Sequence, residues 1–98
     1  MAELRFEWDD RKATSNQRKH GVSFEEARTV FFDEYALLMP DPEPSGSEEC
    51  FVLLGLSGAL RALVVCHCCR HDITVRIISA RKANRGEREQ YERTWRRQ

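Results

Sequence analysis

Three apolar segments follow one another in the second half of the chain, separated only by short turns. The segments are Cys50–Leu56, Leu60–Arg70 and Ile73–Ala80. Turns at Ser57-Gly58 and His71-Asp72 are too short to hold a crossover helix, so the segments are predicted to form an antiparallel meander. Two of the segments contain nearly continuous apolar runs, which indicates a sheet that is covered on both faces.

The first half predicts one short strand and two helices. Residues 4–8 alternate apolar and polar side chains, as a half-buried strand does. Asp9 is a good N-cap for a helix to about Lys19, and Gly21 supplies its C-terminal stop. Ser23 with Glu26 three residues later forms a capping box, which predicts the start of a second helix.

The remaining signals complete the predicted order of elements. Ala36–Met39 is a candidate short strand, and Asn84 with Glu87 is an N-cap signal for a last helix to about Arg96. The predicted order is β-α-α-β-β-β-β-α, an α+β fold with a mainly antiparallel sheet. Residues 1–98 are predicted to be a single domain, with an acidic loop rich in Pro, Ser and Gly at residues 40–49.

Charge is divided unevenly along a chain whose formal net charge is zero. Residues 61–98 hold ten Lys and Arg against four Asp and Glu, whereas residues 1–60 hold six against twelve. Such segregation favours a cationic face for a polyanion, and RNA or DNA is the first partner to consider.

Hydropathy and cysteine spacing bear on the cellular compartment of the protein. The sequence has no apolar run long enough to span a membrane and no signal-peptide pattern at its N-terminus, so a soluble cytoplasmic protein is expected. Three of the four cysteines, Cys66, Cys68 and Cys69, crowd into four residues. This layout suits a disulfide framework poorly, so the cysteines are predicted to be reduced.

Two long motifs resemble one family. The segments Lys19-His-Gly-Val-Ser-Phe-Glu-Glu-Ala27 and Arg76-Ile-Ile-Ser-Ala-Arg81, together with Phe6–Asp9, Glu87 and Tyr91, are similar to the BrnT family of toxins. The resemblance covers roughly residues 5–92. It implies a compact RelE-like α+β fold and an endoribonuclease that blocks translation. It also implies a BrnA-type antitoxin with a ribbon-helix-helix domain, through which alone the complex would bind operator DNA.

Two departures from the family pattern keep a second function open. His67-Cys-Cys-Arg70 lacks an acidic residue that is usual there, and Gly86 occupies a position that usually favours helix. Catalysis is therefore either intact, or decayed so that the protein acts as a binding module for the antitoxin and as an operon co-repressor. Sequence-specific DNA binding by this chain is disfavoured, because no helix-turn-helix or ribbon-helix-helix pattern is present.

The arginines of the last strand are the main candidates for catalysis. Metal-independent RNA cleavage needs a proton acceptor, a proton donor and cations beside the reacting phosphate. A guanidinium binds two phosphate oxygens at once, which favours Arg76 and Arg81. These residues are predicted to lie on opposite faces if the strand is regular. Glu87 and Tyr91 of the last helix are further catalytic candidates, although the arginines can instead pair with glutamates there.

Histidine and the other cations complete the candidate site. His20 is a candidate for proton transfer, or it only satisfies carbonyls at its helix end. His67 is expected to be a buried core residue. The predicted RNA-binding cations are Lys19, Arg70, Lys82 and Arg88. No metal or cofactor is expected, since Cys66 and Cys69 have a zinc-ligand spacing but no second ligand pair.

Overall fold

The computed structural model describes residues 4–42, 49–70 and 73–96. Five strands and three helices follow one another in the predicted order. Their bounds are β1 Arg5–Glu7, α1 Asp10–His20, α2 Phe24–Thr29, β2 Leu37–Pro40, β3 Glu49–Leu56, β4 Ala62–Arg70, β5 Thr74–Lys82 and α3 Arg85–Arg96. A 3₁₀ turn, Val30–Phe32, extends α2. Most of the predicted acidic loop and the turn at residues 71–72 lie outside the described residues.

The strands form one sheet in the order β1-β5-β4-β3-β2. Strands β2, β3, β4 and β5 each pair antiparallel with the next, which confirms the predicted meander. Strand β1 pairs with β5 in parallel. The prediction of an α+β fold with a mainly antiparallel sheet is therefore confirmed. None of the helices within the described ranges is long and apolar enough to cross a membrane.

Each face of the sheet is covered by helix, as the apolar runs of the central strands predicted. The first face packs against α1, α2 and the 3₁₀ turn; its fully buried side chains include Phe24, Leu63 and Ile77. The second face packs against α3, where Leu54, Val64 and Tyr91 form a smaller buried cluster. The part of the second face that α3 leaves uncovered is where the candidate site lies.

Local capping explains where the helices begin and end. Asp9 accepts hydrogen bonds from the backbone N–H groups of Arg11 and Lys12, and Gly21 ends α1 with a φ of 69°. That left-handed conformation favours glycine because it lacks a Cβ. At α3 the capping box is complete, since Asn84 and Glu87 each accept a hydrogen bond from the backbone N–H of the other at 2.8 Å.

A β-bulge in β5 changes which residues share a face. Cys66 of β4 pairs with Ser79 and His67 pairs with Ile77, so Ile78 is the extra residue. Side chains alternate between faces in a regular strand, and one inserted residue reverses that alternation. Val75, Ile77 and Ala80 accordingly all reach the same core cluster.

Asn16 of α1 covers the open edge of β5. Its side-chain amide donates to the carbonyl of Ala80 at 2.8 Å and accepts from the N–H of Ala80 at 3.0 Å. The same amide donates to the carbonyl of Val22. A buried polar side chain is tolerated where its hydrogen bonds are satisfied, and here those bonds fix α1 along β5.

An ion pair fixes the connection between α1 and α2. The Glu26 carboxylate accepts hydrogen bonds from Arg61 and from the Ser57 hydroxyl, and Arg61 also donates to the carbonyl of Gly21. The Arg61 hydrogen bonds hold the pKa of Glu26 below its ordinary value. Glu26 therefore joins the start of α2 to the β3–β4 turn, and Ser23 caps the helix with its own hydroxyl.

The prediction that all four cysteines are reduced is wrong. Cys50 and Cys68 are direct partners on β3 and β4 and form a disulfide, with their Cα atoms 4.0 Å apart. The pairing depends on strand register, which the crowding of the cysteines in sequence does not reveal. Cys66 and Cys69 are free thiols.

Candidate active site

The Arg81 guanidinium and the Glu87 carboxylate form the centre of the candidate site. Arg81 lies near the end of β5 and Glu87 in the first turn of α3, and two hydrogen bonds of 2.8 Å join them. Arg81 also donates to the carbonyl of Lys82. The hydrogen bonds from Arg81 hold the pKa of Glu87 below its ordinary value, so Glu87 is ionised at neutral pH.

This pair borders a groove of about 350 Å³ on the second face of the sheet. The floor is formed by side chains of β3 and β4, which are Val52, Leu54, Val64 and Cys66. Residues 39–42 form one wall, and Arg81 and Glu87 lie on the other side. An apolar floor beside a charged pair suits a ligand that has both a flat apolar part and an anionic part, as a nucleotide does.

Arg76 lies on the same face of the sheet as Arg81, contrary to the prediction. Arg76 pairs with Cys68 of β4 and Arg81 pairs with Val64, and residues directly opposite in a sheet share a face. The bulge at Ile78 causes the difference. Four β4 positions separate the two partners, which places the two arginines roughly 13 Å apart along the strand.

Tyr91 lies in the core rather than on the groove. Only 3% of the residue is exposed, and its hydroxyl donates to the Asp33 carboxylate at 2.6 Å. Burial and the neighbouring Asp33 carboxylate raise the pKa of Tyr91. A buried phenol that is already bonded to a carboxylate is poorly placed to transfer a proton to RNA, so we leave Tyr91 out of the reaction centre.

His20 and Lys19 line a different groove, on the side of α1 that faces the edge of β5. This groove has a volume of about 390 Å³ and is also lined by Arg11, Lys12, Ser15 and Asn16. The catalytic candidates therefore divide into two groups, with His20 on α1 and the pair of Arg81 and Glu87 beside α3.

The other predicted RNA-binding cations are spread over the surface. Arg70 forms an ion pair with Glu7 at 3.0 Å. Lys82 is exposed and lies near enough to Glu26 to contribute to its lowered pKa. Arg88 donates to the carbonyl of Ala83 and lines a small groove with Tyr91 and Trp95.

His67 is a buried core residue, as predicted. It is 2% exposed, its ring packs edge-on against Phe31 with 4.8 Å between centroids, and Nδ1 lies 3.3 Å from the carbonyl of Val65. Burial lowers the pKa of His67 because it penalises the charged form. A proton-transfer role at the surface does not fit this position.

The burial of His67 predicts a pH dependence of stability. The pKa of His67 is lower in the folded protein than in the unfolded chain. As the pH falls below the pKa of the unfolded chain, the unfolded state takes up a proton that the folded state does not, and the folded state loses stability relative to it. The free energy of unfolding should therefore fall between pH 7 and pH 5, by at most about 1.4 kcal/mol per pH unit from this residue. Urea unfolding at both pH values should show a smaller fall for His67→Gln, and an equal fall would contradict the assignment.

A family model described as the ribonuclease toxin, BrnT, of a type II toxin-antitoxin system matches residues 8–87. The chain belongs to this family. It is therefore a ribonuclease toxin of the BrnT type, and a toxin of a type II pair has an antitoxin as its partner. The resemblance of the Lys19–Ala27 and Arg76–Arg81 segments is confirmed.

Comparison with solved structures supports the fold. The chain is similar to the ribonuclease toxin BrnT of Brucella abortus, with a TM-score of 0.61 and 20% identity over 87% of this chain and 100% of that one. At that identity the likeness shows the fold alone. A search of curated proteins gives no match.

Most residues of the first family motif, Lys19–Ala27, have structural roles. Within Lys19–Ala27 the buried residues are Val22, Phe24 and Ala27. Gly21 and Ser23 end one helix and start the next, and Glu26 joins them to Arg61. Only Lys19 and His20 line a groove. Most of this motif therefore stabilises the fold, and only a small part of it is placed to contact a ligand.

Several residues of the two grooves were not predicted. The sequence predicts no role in RNA binding for Cys66 of the Arg81 groove, nor for Arg11, Lys12 and Ser15 of the α1 groove. The helical spacing of Lys12, Ser15, Asn16 and Lys19 was the available signal, because it places all four on one side of α1. No local pattern pointed to Cys66, whose position depends on strand register.

Proposed function

We propose that this BrnT-family toxin is a metal-independent endoribonuclease whose reaction centre is the groove beside Arg81 and Glu87. Cleavage of RNA would block translation, and a BrnA-type antitoxin with a ribbon-helix-helix domain would neutralise the toxin. The observation that carries the proposal is the doubly hydrogen-bonded pair of Arg81 and Glu87 at the rim of an open groove.

Arg81 retains donors for a phosphate. A guanidinium has five N–H groups, and Glu87 and the Lys82 carbonyl occupy three of them. Among the described residues, the Nε–H and one Nη2–H have no acceptor, and they lie on one edge of the planar group. Such an edge binds two phosphate oxygens side by side. Arg81 can therefore hold Glu87 and a phosphodiester at the same time.

Glu87 supplies the proton acceptor in this proposal. The 2′-hydroxyl of RNA attacks the adjacent phosphorus while the ionised carboxylate takes its proton, and the bond to the 5′-oxygen breaks as that oxygen takes a proton from water. The products are a 2′,3′-cyclic phosphate and a 5′-hydroxyl end. Arg81 stabilises the additional negative charge on the phosphorane.

The other cations would act on the RNA backbone. Arg76 lies on the same face roughly 13 Å from Arg81 along the strand, which is too far for both to contact one phosphate. We assign Arg76 to a neighbouring phosphate, and Arg70, Lys82 and Arg88 to weaker backbone contacts. Phosphate contacts of this kind position the substrate without reading its sequence.

The experiment that tests the proposal is cleavage of single-stranded RNA by purified protein in EDTA, with and without ribosomes. We expect cleavage in EDTA and products that end in 2′,3′-cyclic phosphate. RNA with 2′-O-methyl groups should remain intact because its nucleophile is blocked. Cleavage that requires added Mg²⁺ would contradict metal independence.

One observation favours a second candidate function. The Arg81 guanidinium is already neutralised by Glu87, and the Tyr91 phenol lies in the core. A toxin-fold protein whose arginine is paired and whose tyrosine is buried in this way would act as an antitoxin partner and co-repressor. The same assay decides between the two, because this candidate predicts no cleavage under either condition while the antitoxin complex still forms.

A further inference from the structure

The groove on α1 is a separate cationic surface. Arg11, Lys12 and Lys19 lie on its rim, Ser15 and His20 add polar groups, and the backbone of β5 closes the other side at Ile78 and Ser79. Among the described residues that line it, none is Asp or Glu. We refer to these residues as the α1 groove.

The three cations of the α1 groove have no acidic partner in the part of the chain that the structure describes. Among residues 4–42, 49–70 and 73–96, no carboxylate lies within ion-pair distance of Arg11, Lys12 or Lys19. Five other arginines do form ion pairs, and they are Arg61, Arg70, Arg81, Arg85 and Arg96. An anion that binds in the α1 groove therefore displaces no existing ion pair, whereas an anion at Arg61, Arg70, Arg85 or Arg96 would compete with a glutamate.

The α1 groove extends over several nucleotides and lies next to the Arg81 groove. Lys12 and Lys19 are seven residues apart, which is roughly 10 Å along a helix. Asn16, which lines the α1 groove, is hydrogen bonded to Ala80, the residue before Arg81. The α1 groove and Arg81 thus lie on opposite faces of β5, at the side of this strand that has no strand neighbour beyond Arg76 among the described residues, so a single strand of RNA that passes round this edge can contact both.

We propose that the α1 groove binds the phosphodiester backbone of the RNA strand outside the nucleotides that occupy the Arg81 groove. This inference rests on the proposed ribonuclease function and adds that the preferred substrate is a single strand several nucleotides long. Arg11 and Lys12, which the reaction itself does not require, determine how tightly that strand binds.

The composition of the α1 groove favours RNA over a protein segment. Protein interfaces are centred on large apolar or aromatic anchors, and Ile78 is the only large apolar residue that lines this groove in the described part of the chain. The exposed large apolar residues that a partner protein would bury lie elsewhere; they are Leu4, Phe32, Leu38, Leu60 and Trp95. Cations, a hydroxyl and an imidazole are the groups that contact a nucleic-acid backbone.

The test uses a fluorescently labelled 2′-O-methyl RNA 12-mer, which binds but cannot be cleaved. Its dissociation constant is measured by anisotropy at several salt concentrations for wild type and for the double variant Arg11→Ala/Lys12→Ala. Loss of two phosphate contacts should weaken binding at least about 10-fold at low salt. It should also reduce the slope of log K against log salt by about 1.4. Asp9 still caps α1 in this variant, because the cap bonds use backbone N–H groups.

The matched control is Arg18→Ala/Arg93→Ala, which removes the same charge from exposed positions outside the α1 groove. This control should change the dissociation constant less than about threefold, since it removes no phosphate contact. Equal weakening in both double variants would overturn the proposal, because only net charge would then matter. Unchanged binding by the Arg11→Ala/Lys12→Ala variant, or no binding by wild type, would overturn it as well.

The assay separates this inference from the ribonuclease function. If wild type binds the 12-mer through the α1 groove but cleaves no RNA, the ribonuclease proposal fails and the groove assignment stands. If wild type cleaves RNA while the Arg11→Ala/Lys12→Ala variant binds normally, only the groove assignment fails. Normal RNA binding with lost antitoxin binding would show that the groove is a protein site and would also overturn it.

Discussion

Replacing Arg81 with alanine is expected to reduce RNA cleavage by the purified toxin by at least about 100-fold. Loss of one preoriented donor to a developing oxyanion typically costs two to three orders of magnitude in rate, and Arg81 would contribute two donors. The substitution also leaves Glu87 without its partner. The measurement is the single-turnover cleavage rate of a labelled RNA in EDTA.

Two variants separate catalysis from general effects of charge. Arg85→Ala removes a neighbouring, highly exposed cation that forms only an i,i+4 pair with Glu89, and it should cleave at close to the wild-type rate. Arg81→Lys keeps the charge but loses the two adjacent N–H donors of the guanidinium, so its cleavage rate should lie between those of Arg81→Ala and wild type. An Arg81→Ala protein that folds normally and cleaves like wild type would place the reaction centre elsewhere.

Replacing Asp33 with alanine is expected to lower the free energy of unfolding by roughly 3 kcal/mol. Asp33 accepts hydrogen bonds from the Tyr35 N–H, the Leu56 N–H and the Tyr91 hydroxyl. Hydrogen bonds to a charged group contribute about 1.5–3 kcal/mol each, and buried donors that lose their acceptor add a desolvation cost. Urea unfolding measures the loss, which corresponds to a fall in Tm of roughly 15 °C for a chain of this size.

Two further variants, Glu34→Ala and Tyr91→Phe, serve as controls for Asp33→Ala. Glu34→Ala removes an exposed carboxylate next to it and should change stability by less than about 0.5 kcal/mol. Tyr91→Phe removes one of the three bonds and should cost about 1 kcal/mol. A loss for Asp33→Ala no larger than that for Tyr91→Phe would show that the two backbone bonds contribute little.

Features that depend on a few neighbouring residues were predictable from the sequence. Helix α1 begins after Asp9 and ends before Gly21, and α3 begins after Asn84, as the capping signals indicated. Such signals act through backbone groups within one turn of helix, so no knowledge of the tertiary structure is needed. The same local reasoning named the glutamates of the last helix as possible partners of the arginines, and the structure pairs Arg81 with Glu87.

Features that depend on register were not predictable. The bulge at Ile78 places Arg76 and Arg81 on one face, and nothing in the run Arg76–Arg81 marks an extra residue. The disulfide between Cys50 and Cys68 likewise requires the pairing of β3 with β4. Asp33 is bonded to residues 23 and 58 positions away in the chain, so its role appears only after folding.

The contact between Asn16 and Ala80 also bears on strand addition at the edge of the sheet. Beyond Arg76, the outer side of β5 has no strand neighbour among the described residues. An unsatisfied strand edge of this kind is a template on which a second molecule can add a strand and begin an aggregate. The Asn16 amide takes the place of that missing strand at one position, and α1 blocks the approach around it. The Asn16 side chain thus occupies a position of this edge to which a second molecule could otherwise add a strand, and it leaves the surface beside it open.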